Sequence, residues 1–149
     1  MNTIMEIGLG FALGVSFLYL VRRQTWVPEI KVFQWGLVAA AGIYFTLSLF
    51  KAPISWITIE GIGIIIYGVF AWLGARYTPA WIGIGWLLHP IWDGFLHLYG
   101  PAPDVVPHWY AMTCLVFDGI IGLYILLGPL REMDKTIKGY DVIQEKSGK

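Results

Sequence analysis

Five apolar runs, each close to twenty residues long and separated by short polar breaks, decide what this chain can fold into. A helix needs about 20 mostly apolar residues to cross the hydrocarbon of a bilayer. Runs at 4–21, 32–50, 56–74, 81–99 and 109–128 have that length. The breaks RRQTWVPEIK, KAPIS, ARYTPA and GPAPDVVPH hold the charges and prolines that stop a helix. Loops this short join antiparallel neighbours. The expectation is an all-α integral membrane bundle of five transmembrane helices forming one domain, 1–128, with a polar cytoplasmic tail at 129–149. The third run is the weakest, because Glu60 and the glycines Gly61, Gly63 and Gly68 interrupt it. Composition agrees with lipid: 13% of the 149 residues are charged, against about 25% in a soluble domain.

Basic residues orient the bundle. Arg22, Arg23 and Lys31 follow the first run, Lys51 the second, Arg76 the third, and Arg131, Lys135, Lys138, Lys146 and Lys149 the fifth. Alternating crossings put all of these but Lys51 on one side, and the positive-inside rule makes that side cytoplasmic. The amino terminus is therefore expected outside and the carboxyl terminus inside, in a multi-pass protein of the cell's inner (cytoplasmic) membrane. The first run has no basic residue ahead of it and an arginine pair behind it, the reverse of a secretory signal, so it reads as a retained anchor. Trp35, Trp72 and Trp81 fall near the inner interface and Trp56 and Trp109 near the outer one, where indoles anchor helices. Gly10 and Gly14 form a GxxxG pair suited to close helix contact. A net charge of zero excludes the basic footprint of nucleic-acid binding. The bilayer itself is the partner the composition implies, and the oligomeric state is not encoded. The single cysteine, Cys114, excludes an internal disulfide.

Within the fourth run lies HPIWDGFLH, His89 to His97, with ionisable groups at four-residue spacing. Residues four apart share a helix face. Gly85, His89, Asp93 and His97 make one stripe, and Tyr110, Cys114, Asp118 and Gly122 make another on the fifth run. Counting back from the turn at 1.5 Å per residue sets His97 level with Tyr110, Asp93 with Cys114, and His89 with Asp118. The last two lie roughly 15 Å from the outer end, near mid-membrane. The stripes should face each other, since an Asp at a helix centre costs about 2.5–3.5 kcal/mol against lipid. Glu6 and Glu60 fall in the outer halves of their runs, so the polar groups are expected to converge on a cavity open to the outside. Pro90 should kink the fourth helix and, if the break is sharp, take His89 off the face of Asp93.

Imidazole and carboxylate together suit a divalent transition metal such as zinc or iron. His89 and His97 are about 12 Å apart along a straight helix, too far to share one ion. The expected ligand set is therefore Asp93 and His97 with His108 or Glu60 from elsewhere. His89 and Asp118 would form a deeper acid–base pair. In a catalytic reading His89, Asp93, His97 and Asp118 do the chemistry, and Trp86, Trp92, Tyr110 and Cys114 line a pocket for a lipid or small hydrophobic ligand. A carboxylate beside Cys114 works against a nucleophilic thiolate there. Interhelical glue explains a single Asp–His pair as well as function does, at about 0.6 kcal/mol on average. It explains six converging ionisable residues (Glu60, His89, Asp93, His97, His108, Asp118) poorly.

Five runs, this length and many tryptophans resemble the tryptophan-rich sensory (translocator) family, which binds porphyrins and sterols, but that family's proline-glycine-tryptophan signature is absent from the corresponding places. The pattern HP-x-WD-x3-H, a proline-rich loop and WY-x3-C-x3-D-x5-Y, from Leu87 to Tyr124, is more similar to small bacterial multi-spanning membrane proteins of uncharacterised function. That resemblance implies no activity. The leading expectation is a small membrane enzyme using metal or acid–base chemistry on a lipid-like substrate. The alternatives are a non-enzymatic ligand-binding or transport component and a structural subunit of a membrane complex, and the residues alone leave enzyme against binding open.

Overall fold

A computed structural model describes residues 2–99 and 106–128. The expected tail at 129–149 and most of the GPAPDVVPH connection lie outside the described residues. Five helices follow one another: α1 (Thr3–Arg23), α2 (Glu29–Lys51), α3 (Ile54–Arg76), α4 (Ala80–Tyr99) and α5 (His108–Leu127). Pro28, Pro53, Pro79 and Pro107 each stand immediately before a helix. Proline cannot continue the preceding helix, yet its fixed φ suits a helix start, where its missing N–H goes unneeded. The first helix is capped instead by Asn2, whose Oδ1 accepts from the Ile4 amide at 3.1 Å.

Around the bundle the neighbours run α1, α5, α4, α3, α2, with α4 also touching α2. Helices in lipid associate by van der Waals fit rather than by escape from water, which favours small residues where backbones approach. Gly10 of the expected GxxxG pair lies against α5, where a β-carbon would come 2.5 Å from the Thr113 carbonyl oxygen. Gly122 of α5 does the same for α4, since a β-carbon there would meet Leu87 at 2.7 Å and the Gly83 carbonyl at 3.0 Å. These contacts run α4 and α5 antiparallel in the register counted from the turn.

Two apolar clusters fill the interior. The larger holds Phe33, Leu37, Trp86, Ile121 and Ile125 toward the α1–α2 end. The smaller holds Tyr44, Leu96 and Val106 at the α4–α5 end, with Leu47, Trp56 and Tyr110 packed on it. Large apolar side chains also cover the outside, among them Phe50, Ile65, Trp72 and Leu127. A soluble monomer does not expose a continuous apolar surface of this kind. Four helices, all but α4, are long and apolar enough to cross a membrane. The fourth is diluted by His89, Asp93 and His97; it packs against α5, α3 and α2, and His89 and Asp93 are buried in the bundle.

The proline inside α4 does less than expected. Pro90 is buried, α4 runs helical through it, and His89 stays on one face with Asp93, their side chains 3.6 Å apart. Pro90 forfeits one amide donor, and the loss is confined to one turn of a helix held on three sides.

Candidate functional site

Between the two apolar clusters, α4 and α5 bring three ionisable side chains together. His89 Nδ1 lies 2.8 Å from Asp118 Oδ2 and 3.6 Å from Asp93 Oδ2. Each of the three residues is at most 4% exposed. They form a possible metal-holding group whose candidate ligand atoms all lie within 4.8 Å of one another. The helical spacing of α4 supplies His89 and Asp93, and the antiparallel register supplies Asp118. Tyr67 of α3 packs edge-on against the imidazole, ring centroids 5.0 Å apart. Glu60, on the same helix, is also buried.

The two aspartates differ in their bonding. Asp118 accepts a hydrogen bond from the His89 ring when Nδ1 carries the proton, which leaves Nε2 with its lone pair. Neither oxygen of Asp93 has a hydrogen-bond partner among the described residues, and the same holds for the Tyr44 hydroxyl. Buried polar groups are almost always paired, so an unpaired carboxylate calls for an explanation. Here both groups line one cavity of about 120 Å³. Ala40, Ile43 and Tyr44 of α2 form one wall, Tyr110, Cys114 and Phe117 of α5 another, and His89, Asp93 and Asp118 the floor. At about 30 Å³ per water, this is room for a few waters or the head of a small molecule.

A second polar group sits nearer the α4–α5 end. His108 Nδ1 is 3.4 Å from Glu6 Oε2, with the histidine largely exposed and the glutamate buried. The His97 ring faces His108 at a centroid distance of 6.4 Å, and His97 Nδ1 is buried with no hydrogen-bond partner among the described residues.

A family described as "Family of unknown function (DUF6010)" matches residues 1–130. The chain belongs to DUF6010. No curated protein and no solved structure matches it. The match agrees with the resemblance to proteins of uncharacterised function, and it takes in all five helices.

The expected site residues divide among several places. His89 and Asp118 meet at the depth counted from the turn, and Asp93 joins them instead of pairing with His97. Of the ligand set Asp93, His97, His108 and Glu60, only Asp93 belongs to the close group; His97 and His108 form the end group, and Glu60 is buried on α3. Tyr110 and Cys114 line the cavity. Trp86 is core, its indole N–H donating to the Phe33 carbonyl at 3.0 Å. Trp92 lays its indole across Gly63, whose missing side chain makes the space. Sequence reasoning did not single out Tyr44, Ala40 and Ile43, because nothing in α2 marks which face meets α4 and α5. The available signal was Tyr44 itself, a polar-tipped aromatic far from either end of its run.

Proposed function

We propose that this DUF6010 protein is a five-span protein of the inner membrane, amino terminus outside, whose His89–Asp93–Asp118 site performs metal-supported chemistry on a small or lipid-like molecule. The observation that carries this is the unpartnered Asp93 carboxylate, buried beside His89 and Asp118 at the cavity floor. Two ligands held at 2.0–2.1 Å on a tetrahedral ion lie roughly 3.3 Å apart. The nitrogen–oxygen distances here, 2.8 and 3.6 Å, bracket that value. Three protein ligands beside a cavity are the donor pattern of a catalytic zinc or iron site, with the next position left for water or substrate. Interhelical glue works through the bonds it makes between helices, and Asp93 makes no hydrogen bond among the described residues, its 3.6 Å approach to His89 lying within α4.

The test is elemental analysis of protein purified without a polyhistidine tag. About one transition-metal ion per chain is expected, lost in Asp93→Ala and kept in Glu6→Ala. Absence of metal even after reconstitution with zinc and iron sinks the metal reading. A second reading then stands on the 2.8 Å His89–Asp118 contact: a carboxylate-oriented imidazole acting as general base without metal.

A further inference from the structure

The cavity's surroundings indicate where its ligand comes from. Toward the α4–α5 end it is roofed by apolar packing: Tyr44 and Tyr110 approach with ring centroids 6.3 Å apart, and Leu96 and Val106 are buried beside them. Toward the other end the large core closes it, with Phe33 and Tyr124 in ring contact at 5.8 Å. Sideways the wall is thin. The backbones of α2 and α5 stand apart, bridged by those two ring pairs, while α1 makes its ring contact with α2 at Phe17 and Phe33, near their shared turn.

Between the bridges stands Ile43. It lines the cavity, is 42% exposed, and also lines a groove of about 370 Å³ on the outer surface of α2 with Ala39, Gly42, Thr46 and Leu47. One side chain thus separates the acid–imidazole floor from an apolar trough on the surface that faces lipid. Thr46 does not make the trough polar, because its hydroxyl donates to the Gly42 carbonyl at 2.7 Å within α2.

We infer that the site opens laterally into the bilayer, past Ile43 between α2 and α5, and takes a single-chain lipid with an uncharged hydroxyl or carbonyl head. This rests on the membrane reading above. The tail lies in the trough along α2, and the head passes the isoleucine to meet Asp93 and Tyr44. The head class follows from charge and size. Two carboxylates and one imidazole floor the cavity, and among the described residues no lysine or arginine lines it; a single divalent ion there only balances the two carboxylates, so nothing offsets the charge of a phosphate head. A hydroxyl or carbonyl head finds a partner in the Tyr44 hydroxyl, and a hydroxyl finds one in Asp93 as well. A cavity of about 120 Å³ excludes the glycerophosphate head of a two-chain phospholipid.

The experiment uses the full chain in phosphatidylcholine vesicles with a long-chain alcohol carrying a diazirine next to its hydroxyl. After irradiation, mass spectrometry maps the adducts. Adducts are expected on the cavity residues Ile43, Tyr110 and Cys114, competed by excess unmodified alcohol and not by the matching alkyl phosphate. Ile43→Trp should cut this labelling about tenfold, equivalent to about 1.4 kcal/mol of affinity. Gly42→Leu, which fills the trough at a position where a β-carbon meets nothing within 4 Å, should do the same, and Gly68→Leu, equally open but on α3, should not. Labelling spread evenly over lipid-facing residues such as Ile65 and Leu115 overturns the proposal. So does cavity labelling that survives both α2 variants, which would mean entry from the α4–α5 end. Equal competition by the alkyl phosphate overturns the head class. Metal content is read in the same samples. Cavity labelling without metal sinks only the metal reading, and metal without cavity labelling sinks only lateral entry.

Discussion

Asp93 and Asp118 share one imidazole nitrogen but in different circumstances. Asp118 is bonded to His89 at 2.8 Å, while Asp93 lies 3.6 Å away with both oxygens unpaired. Removing one member of a buried charged set leaves the others uncompensated, at about 3–5 kcal/mol. His89→Leu, which leaves two carboxylates side by side, should therefore lower thermal stability in detergent by that amount. Replacing the whole set by apolar residues of similar size (His89→Leu, Asp93→Val, Asp118→Val) removes the desolvation cost with it. That triple variant should be as stable as the parent, or more stable by about 1–4 kcal/mol, while losing ligand binding. A triple variant markedly less stable than the parent would make the group structural glue. At this scale the sequence was informative: spacing and depth placed His89 opposite Asp118 before any coordinates. Depth counting grouped Asp93 with His97 nearer the surface, whereas in the structure Asp93 lies 3.6 Å from His89, one helical turn away on a helix that stays regular through Pro90.

At the scale of elements, α5 is held on both sides through glycine. Gly10 brings α1 against it and Gly122 brings it against α4. An added methyl at Gly10 would meet the Thr113 backbone, which cannot yield without moving α1 away. Gly10→Ala should thus be destabilising by about 1–3 kcal/mol despite alanine's better helix propensity. Gly68→Ala, with nothing within 4 Å of the new carbon, should be neutral or gain up to about 1 kcal/mol. Thermal melts of the two variants in the same detergent check the contrast, and equal melting temperatures would remove Gly10 from the α1–α5 contact. The helix boundaries themselves were legible, since four of five helices start directly after a proline. The fourth run was the hardest to place by composition, because its polar residues lower its apolar average and pack inward among three neighbouring helices.

For the whole molecule the proposed orientation rests on charge. All basic residues except Lys51 are expected on one side, so a carboxyl-terminal reporter should be active only in the cytoplasm. Activity only on the outer side would invert the topology, and with it the leaflet from which a ligand reaches Ile43. The cavity's depth, between the two apolar clusters, does not depend on that outcome.

Hydrophobic run length, proline placement and the four-residue rhythm of α4 and α5 by themselves determined five helices and the pairing of His89 with Asp118. A run of apolar residues reports its length and its phase to its immediate neighbour across a short turn, and no more. Only the tertiary structure decided that α1 packs on α5 and that α2 supplies the third wall of the cavity through Tyr44 and Ile43. The reason is physical: in lipid every face of a helix is apolar, so the hydrophobic pattern that would mark a buried face in water is missing. The choice of neighbour falls to close steric fit, which is a property of pairs of helices in space.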